Sequence, residues 1–357
     1  MINKKNTKYT KQIKLDGFGI SAQEKLFNAK VLIIGAGGLG CPAITYLAAA
    51  GVGTLGIIDH DLVDETNLHR QPIYTSEDIG QPKVTVSAAR AQKLNPDAKI
   101  IAWQKQLSPS NALEIIRDFN VILDCTDNYE ARYLINDACV LLNKPWIYGA
   151  VEAWEGQLAA FNFPKSDGSK TPTYRCLFPE PSAEAISCND IGVIGTMPGT
   201  VGIMQANEAI KLITGIGEVQ NGLLLIDLLH NNFQKIKVTR NEEAITLITS
   251  LKENYDADCN TETSYEIAMD NVLKTPDKYF IIDIREEYEL DESPFELADL
   301  NLPMDQLLGN AFAFRDDMNY VLVCAKGNRS LQTVKKLKQI FPDINLFSAK
   351  GGVAAIV

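Results

Sequence analysis

Short apolar runs alternate with amphipathic stretches along the first 240 residues of the chain. The run at 31–34 stops at Gly35 and the run at 54–59 ends in an acid, which is typical of buried strands. Strands that alternate with helices over this length predict βαβ units and a parallel sheet. The strands are expected over 31–34, 54–59, 98–103, 121–127, 145–151 and 157–163, and the helices over 41–51, 82–96, 111–119, 131–143 and 197–215.

The pattern of apolar and polar residues changes after about residue 240. Residues 241–262 are polar and acidic without a clear period, and we expect them to form a linker. A smaller α/β pattern then occupies residues 263–357. Its helices are expected over 265–273 and 330–341, and its strands over 279–285 and 319–324. The sequence therefore predicts a first domain over residues 1–240 and a small second domain.

Composition excludes several classes of protein. With 357 residues, 46% of them hydrophobic and 22% charged, the chain is long enough for about two globular domains. The net charge of -11 disfavours nucleic-acid binding, which needs a basic face. No run approaches the roughly 18 apolar residues of a membrane span, and the polar start lacks the apolar core of a secretory signal. We therefore expect a cytoplasmic protein without nucleic-acid or membrane partners.

The cysteines favour a reducing compartment. Seven are present at irregular spacing, which is typical of reduced thiols. No C-x-x-C pair occurs, whereas a four-cysteine zinc site is normally built from two such pairs. The sequence therefore predicts no structural zinc.

A glycine loop follows the first strand. In GAGGLG, residues 35–40, the glycines Gly35, Gly37 and Gly40 occupy the G-x-G-x-x-G positions between a strand and a helix. Glycines let the backbone approach a phosphate, and the helix N-terminus offers it unpaired N–H groups. Asp59 ends the next strand, where a carboxylate usually accepts hydrogen bonds from ribose hydroxyls. These residues alone leave an NAD-dependent oxidoreductase as the obvious interpretation.

The polar residues that follow favour a triphosphate instead. Asp61, Asn67, Arg70, Gln71 and Lys83 come shortly after Asp59 in the chain. Arginine offers a planar fork to phosphate oxygens and lysine a point charge, and hydride transfer has little use for either here. The motif DCTDN, residues 124–128, ends another strand at the edge where ligands bind in such sheets. Asp127 is the predicted magnesium ligand, because Mg²⁺ favours carboxylates together with substrate phosphates. Asp124 is expected to be a structural cap.

Taken together, these motifs carry a resemblance to the MoeB/ThiF family, the bacterial relatives of ubiquitin-activating enzymes. It spans residues 8 to about 240 and includes YRCLFPEP, residues 174–181. The resemblance implies a Rossmann-like domain that uses MgATP to adenylate the C-terminal glycine of a small ubiquitin-fold sulfur carrier protein ending in Gly-Gly. It further implies a homodimer, and ATP contacts for Gly38, Asp59, Asn67, Arg70, Gln71, Lys83, Asp127 and Asn128.

The chain departs from the family pattern in two places. The family's N-terminal R-Y-x-R-Q reads Lys8-Tyr9-Thr10-Lys11-Gln12 here, so Lys11 is expected to make a weaker contact with the partner subunit's ATP. The family's paired cysteines are also incomplete, because only Cys176 remains of the first pair and the second pair is missing near residue 240. We interpret Cys176 as a buried thiol.

Two further cysteines are candidates for sulfur chemistry. Cys188 lies in SAEAISCND and resembles a loop cysteine of the family that links to the activated carrier or to sulfur. Cys324 opens the loop CAKGNRS, whose N–H groups, helix N-terminus and Arg329 are expected to stabilise a thiolate or persulfide. We expect Ser330 to cap the helix and Leu331, Val334, Leu337 and Ile340 to face inward.

Residues 263–357 resemble a rhodanese domain, although the usual G-H-I-P-G segment is replaced. The resemblance implies that Cys324 and Arg329 are catalytic. Combined with the first domain, it implies conversion of the carrier carboxylate to a thiocarboxylate, for molybdopterin or thiamine biosynthesis. The sulfur would come from a cysteine desulfurase or another persulfide donor. A binding scaffold with degraded sites remains open as an alternative, as does the oxidoreductase.

Overall fold

Residues 7–165, 168–180, 192–255, 265–309 and 312–355 are described by the computed structural model. The chain divides into two compact units, Met1–Asp258 and Cys259–Val357. Within the described ranges, none of the helices combines the length and the apolarity that a membrane crossing requires.

The first unit is built on an eight-stranded sheet in the order β3-β2-β1-β4-β5-β6-β7-β8. Strands β1 to β5 pair in parallel, and β6, β7 and β8 continue the sheet in antiparallel fashion. The strands are β1 (Lys30–Ile34), β2 (Thr54–Asp59), β3 (Lys99–Gln104), β4 (Val121–Asp124), β5 (Trp146–Glu152), β6 (Glu155–Phe161), β7 (Leu223–Asp227) and β8 (Asn232–Ile236). The predicted mostly parallel α/β sheet is confirmed.

Nine helices of the described residues surround this sheet. They are α1 (Thr10–Ile13), α2 (Gly19–Asn28), α3 (Gly40–Ala50), α4 (Lys83–Leu94), α5 (Ala112–Arg117), α6 (Tyr129–Leu141), α7 (Tyr174–Leu177), α8 (Thr196–Thr214) and α9 (Glu242–Thr246). Gly215 ends α8 with a φ of 75°, as its expected role as a C-cap requires.

The sheet is buried on both faces, which explains its continuous apolar strands. In β1, Val31 and Ile33 belong to one hydrophobic cluster, and Leu32 and Ile34 belong to another. Since successive side chains of a strand point to opposite faces, both faces of β1 are covered. The chain runs from β1 to β2 on one side and reaches β4 on the other, so the strand order reverses between β1 and β4. Ligands bind at such a switch point in open α/β sheets.

The first unit extends beyond the predicted boundary at residue 240. Within the expected linker 241–262, α9 forms, Ile245 is buried, and Tyr255 is 7% exposed. The hydroxyl of Tyr255 donates a hydrogen bond to Asp137 Oδ2 at 3.0 Å. The described part of this segment is therefore packed on the first unit, because a few apolar side chains anchor an otherwise polar stretch.

The second unit contains a five-stranded parallel sheet in the order β11-β10-β12-β13-β9. Its strands are β9 (Glu266–Ile267), β10 (Tyr279–Asp283), β11 (Leu300–Asn301), β12 (Asn319–Val323) and β13 (Asn345–Ala349). Its helices are α10 (Met269–Leu273), α11 (Glu287–Glu292), α12 (Met304–Leu308) and α13 (Asn328–Ile340).

Three local predictions in the second unit are wrong. The helix expected over 265–273 begins only at Met269, because the preceding residues pair with β13 as β9. Helix α13 begins at Asn328, so Ser330 lies in its first turn and Gly327, with a φ of 86°, precedes the helix. Ile340 is 56% exposed, because it lies at the end of α13, whereas Val334 and Leu337 are buried as expected.

Candidate active sites

A cavity of about 740 Å³ opens at the carboxyl ends of β1, β2, β3 and β4. Its wall contains most of the nucleotide-binding residues that the sequence predicts. These are Gly35, Gly37, Gly38, Asp59, Asp61, Asn67, Arg70, Gln71, Lys83, Asp127 and Asn128. Motifs from four separate parts of the first unit therefore converge on one pocket, because parallel strands present their carboxyl ends at the same edge.

Two predicted nucleotide residues do not line this cavity. Gly40 shapes the turn instead, since a Cβ there would lie 2.1 Å from the carbonyl oxygen of Gly35. Gly35 itself has a φ of 95°, and a Cβ would lie 2.5 Å from the carbonyl oxygen of Cys125. Lys11 is exposed on α1 and lies outside the lining, so its expected contact across a dimer stays a prediction.

Asp59 holds the glycine loop beside β2. Its Oδ2 accepts a hydrogen bond from the Ala36 N–H at 2.7 Å, and its Oδ1 accepts one from the Asp61 N–H at 2.8 Å. A carboxylate has about four acceptor positions, so these two bonds leave capacity for ribose hydroxyls. The expected ribose role is compatible with this geometry, and Asp59 also fixes the loop that would meet the phosphates.

Two cations lie in the pocket wall. Lys83 begins α4 and is 5% exposed, and its Nζ lies 2.7 Å from Asp61 Oδ2. The Arg70 guanidinium donates to the carbonyl oxygen of Thr66 at 2.9 Å and lies 2.8 Å from His69 Nε2. A buried lysine needs a counter-charge, and the Asp61 carboxylate supplies it in this structure. A phosphate oxygen of a bound ligand can replace the Asp61 carboxylate as the counter-charge of Lys83.

The two acids of the DCTDN loop differ in their environment: one is buried and hydrogen-bonded within the loop, and the other is exposed. Asp124 is fully buried, and its Oδ1 accepts hydrogen bonds from the N–H and the hydroxyl of Thr126 at 3.0 and 2.7 Å. Burial raises the pKa of Asp124 to about 6. Asn128 caps α6 by accepting the Ala131 N–H at 2.9 Å. Asp127 is exposed, and its carboxylate accepts no hydrogen bond from the described residues, so it can act as a metal ligand.

Gln71 gives a further indication that the pocket takes a ligand. It is 4% exposed, and its Oε1 has no hydrogen-bond partner among the described residues. A buried acceptor without a partner carries a free-energy penalty, which a donor on a bound ligand would remove.

Sequence reasoning missed Arg132, which also lines the pocket. It is 3% exposed, and its guanidinium lies 4.9 Å from the ring centre of Tyr129 and 5.6 Å from that of Tyr148. It lies one turn into α6, four positions after the cap residue Asn128, and both residues line the pocket. That spacing was the available signal.

The candidate sulfur site lies where β12 passes into α13. Cys324 is 1% exposed, and its Sγ accepts hydrogen bonds from the N–H groups of Gly327 at 3.2 Å and Ser330 at 3.3 Å. The Ser330 hydroxyl lies 3.4 Å from the same sulfur. The loop N–H groups therefore surround the sulfur as expected, in a geometry that favours negative charge on it.

Arg329 is paired with an acid, and its expected catalytic role stays a prediction. Its NH1 donates to Glu289 Oε2 at 2.8 Å, and its NH2 contacts Glu289 Oε1. This hydrogen-bonded guanidinium holds the pKa of Glu289 below its usual range. Because Glu289 balances the charge of Arg329, the guanidinium contributes less positive potential at the sulfur than the sequence suggests. Arg329 instead joins the start of α13 to α11.

Two cysteine predictions have different outcomes. Cys176 is half-buried rather than buried, and its sulfur accepts hydrogen bonds from the N–H groups of Thr173 at 3.4 Å and Asn241 at 3.3 Å. Cys188 lies outside the described residues, so its role stays a prediction.

Comparison with known proteins identifies the family. The model of the ThiF family matches residues 9–247. The chain belongs to the ThiF family. "Adenylyltransferase and sulfurtransferase MOCS3" of Drosophila grimshawi is 37% identical over 378 residues, covering 98% of this chain and 83% of the relative. "Sulfur carrier protein adenylyltransferase" of Thermus thermophilus is 46% identical over 237 residues, covering 66% of this chain and 88% of the relative.

The solved structures agree with the fold. A crystal structure of E. coli MccB with MccA-N7isoASN superimposes with a TM-score of 0.59 at 22% identity, covering 67% of this chain and 73% of that chain. This match concerns the fold alone. The resemblance to the MoeB/ThiF family is confirmed, and this membership disfavours the NAD-dependent oxidoreductase.

Proposed function

We propose that this chain uses MgATP to adenylate the C-terminal glycine of a small ubiquitin-fold sulfur carrier protein and supports its conversion to a thiocarboxylate. The observation that carries the proposal is the convergence of the glycine loop, Arg70, Lys83 and Asp127 on one cavity. The relatives named for adenylyltransferase and sulfurtransferase activity support it, since one aligns over 98% of this chain.

The pocket residues suit attack of a carboxylate on the α-phosphorus of ATP. Arg70 and Lys83 neutralise the phosphate oxygens and hold the triphosphate in line with the attacking oxygen. No general base is required, because the attacking carboxylate is already ionised. Asp127 would hold Mg²⁺, which when bound neutralises phosphate charge. The leaving group is pyrophosphate, and the resulting acyl-adenylate has an activated carbonyl.

The second unit would supply the nucleophile. The hydrogen bonds from Gly327 and Ser330 to Cys324 fit a thiolate or a persulfide anion at that sulfur. We interpret residues 263–357 as a rhodanese-like sulfur-transfer domain, loaded by a cysteine desulfurase or another persulfide donor. Attack of the outer persulfide sulfur on the acyl-adenylate would release AMP and form an acyl disulfide. A second thiol, for which Cys188 is proposed, would cleave its S–S bond, releasing the thiocarboxylate and leaving a disulfide between the two cysteines.

Assembly and location follow from the same interpretation. We propose a homodimer in which Lys11 reaches the ATP site of the partner subunit. We also propose a cytoplasmic location, which fits the free state of the five described cysteines. Molybdopterin and thiamine biosynthesis both remain compatible with a Gly-Gly carrier.

Carrier-dependent ATP–pyrophosphate exchange tests the function directly. Full-length protein with MgATP and a Gly-Gly-ending carrier should exchange pyrophosphate, and the same carrier without its two terminal glycines should not. Exchange should fall strongly in Asp127→Asn, which keeps the side-chain shape and removes the charge. Absence of exchange with every carrier tested, together with NAD binding and reduction, would overturn the proposal in favour of an oxidoreductase. Nucleotide binding without turnover would favour a degraded scaffold.

A further inference from the structure

The wall of the nucleotide pocket includes three residues that follow the family match. The ThiF model ends at residue 247, whereas Glu253, Asn254 and Tyr255 line the cavity. Glu253 and Asn254 are exposed, but Tyr255 is 7% exposed. A segment beyond the matched region therefore completes the pocket, and its buried member is aromatic.

Tyr255 belongs to the apolar part of the pocket. Ile34, Ile58, Leu107 and Leu134 line the cavity and share one hydrophobic cluster with Tyr255. The glycine loop and Lys83 provide for phosphates, and Asp59 lies where a ribose is expected. The planar, largely apolar base of a nucleotide held by these groups also needs a binding surface, and this apolar wall can provide it.

Buried hydrogen bonds fix the position of the Tyr255 ring. Its hydroxyl donates to Asp137 Oδ2 at 3.0 Å and accepts the N–H of Lys252 at 3.2 Å. Arg175 in turn binds both oxygens of Asp137, at 2.7 and 2.9 Å. The hydroxyl is thus engaged away from any ligand, and an anchored ring costs little conformational entropy on binding.

We propose that Tyr255 is a base-binding residue of the nucleotide site, whose ring forms the wall against which the adenine packs. The inference rests on the proposed function, because it takes ATP as the ligand. It extends the binding site beyond the family domain into the segment that leads towards the second unit in sequence.

Equilibrium binding to the full-length protein tests this role with two probes, ATP and inorganic tripolyphosphate. Tyr255→Leu removes the ring, and Tyr255→Phe keeps the ring but loses the bond to Asp137. Phe119→Leu is the matched control, because Phe119 lies in the same hydrophobic cluster, is 3% exposed and lies outside the pocket lining. Thermal unfolding of each variant shows whether it is folded at the temperature of the binding measurement.

Loss of an aromatic contact with a base costs roughly fivefold to tenfold or more in affinity. Tyr255→Leu should therefore weaken ATP binding by that factor and leave tripolyphosphate binding unchanged. Tyr255→Phe should weaken ATP binding less than Tyr255→Leu, because it keeps the ring and loses only its anchor, and Phe119→Leu should bind both probes like wild type. Equal weakening for both probes, or ATP binding by Tyr255→Leu that matches wild type, overturns the inference and leaves the proposed function intact. If wild-type protein binds no ATP, the proposed function fails, and the inference fails with it.

Discussion

Replacement of Lys83 by alanine is the sharpest test of the charge arrangement in the pocket. The Lys83 ammonium lies 2.7 Å from Asp61 Oδ2, and the two side chains are 6% and 49% exposed. Lys83 has therefore already lost most of its hydration, whereas Asp61 keeps access to water. A phosphate oxygen can displace Asp61, because the acid regains hydration and the lysine exchanges one anionic partner for another.

The expected loss follows from the interactions that Lys83 would make. A hydrogen bond to a charged group contributes about 1.5–3 kcal/mol, and a donor aimed at developing charge changes the rate by about 10²–10³-fold. We expect carrier-dependent ATP–pyrophosphate exchange to fall about 10²-fold in Lys83→Ala, or about 2.7 kcal/mol in activation free energy. The free energy of unfolding should change by only about 1 kcal/mol, since Asp61 remains hydrated.

Arg90→Ala is the matched control for this measurement. Arg90 is a second cation of α4, its NH2 lies 3.2 Å from Asp78 Oδ2, and it lies outside the pocket lining. It should retain the exchange rate of wild type. The reasoning would be refuted by exchange in Lys83→Ala within about threefold of wild type, or by an equal loss in Arg90→Ala.

Three further predictions concern Asp124, Cys176 and Glu289. Because burial raises the pKa of Asp124 to about 6, folding favours its protonated form. Its contribution to stability should weaken as the pH rises from about 4 to about 6. In Asp124→Asn, the melting temperature should therefore depend less on pH over that range than it does in wild type. Metal analysis of the purified protein should find no stoichiometric zinc. The Cys176 sulfur accepts a hydrogen bond from the Thr173 N–H at 3.4 Å, so it has a partner without a metal ion. Zinc at one equivalent per chain would contradict this prediction. Glu289→Gln should raise the alkylation rate of Cys324 severalfold, measured by mass spectrometry, because the mutation loosens the contact between α11 and the start of α13. An unchanged rate would show that the Arg329 contact does not hold the loop.

Residues that follow directly after strands were the most predictable part of the first site. Gly35, Asp59 and Asp127 were found because each ends or follows an apolar run, and parallel strands bring those ends together. The antiparallel strands β7 and β8 were not predicted. All five residues of β8 are exposed, so no hydrophobic period marks this strand.

Contacts between distant parts of the chain could not be predicted. Tyr255 bonds to Asp137, which is 118 positions away in sequence, and neither belongs to a recognisable motif. Arg175 completes this network from a third segment. A polar stretch such as 241–255 carries little periodic signal, so its packing on the first unit became visible only in three dimensions.

The comparison of Lys83 with Arg329 shows what a motif leaves undetermined. The sequence identified both cations, Lys83 at the start of α4 and Arg329 in the first turn of α13, but the function of each depends on its counter-ion. Asp61 is half-exposed and can give Lys83 up to a phosphate, whereas the Glu289 side chain is 17% exposed and contacts both terminal nitrogens of Arg329. If a substrate anion displaced Glu289 from Arg329, the Glu289 carboxylate would be left poorly hydrated and without its counter-charge, which costs free energy. Lys83 is therefore suited to bind a substrate anion, and Arg329 is suited to position the loop that carries Cys324.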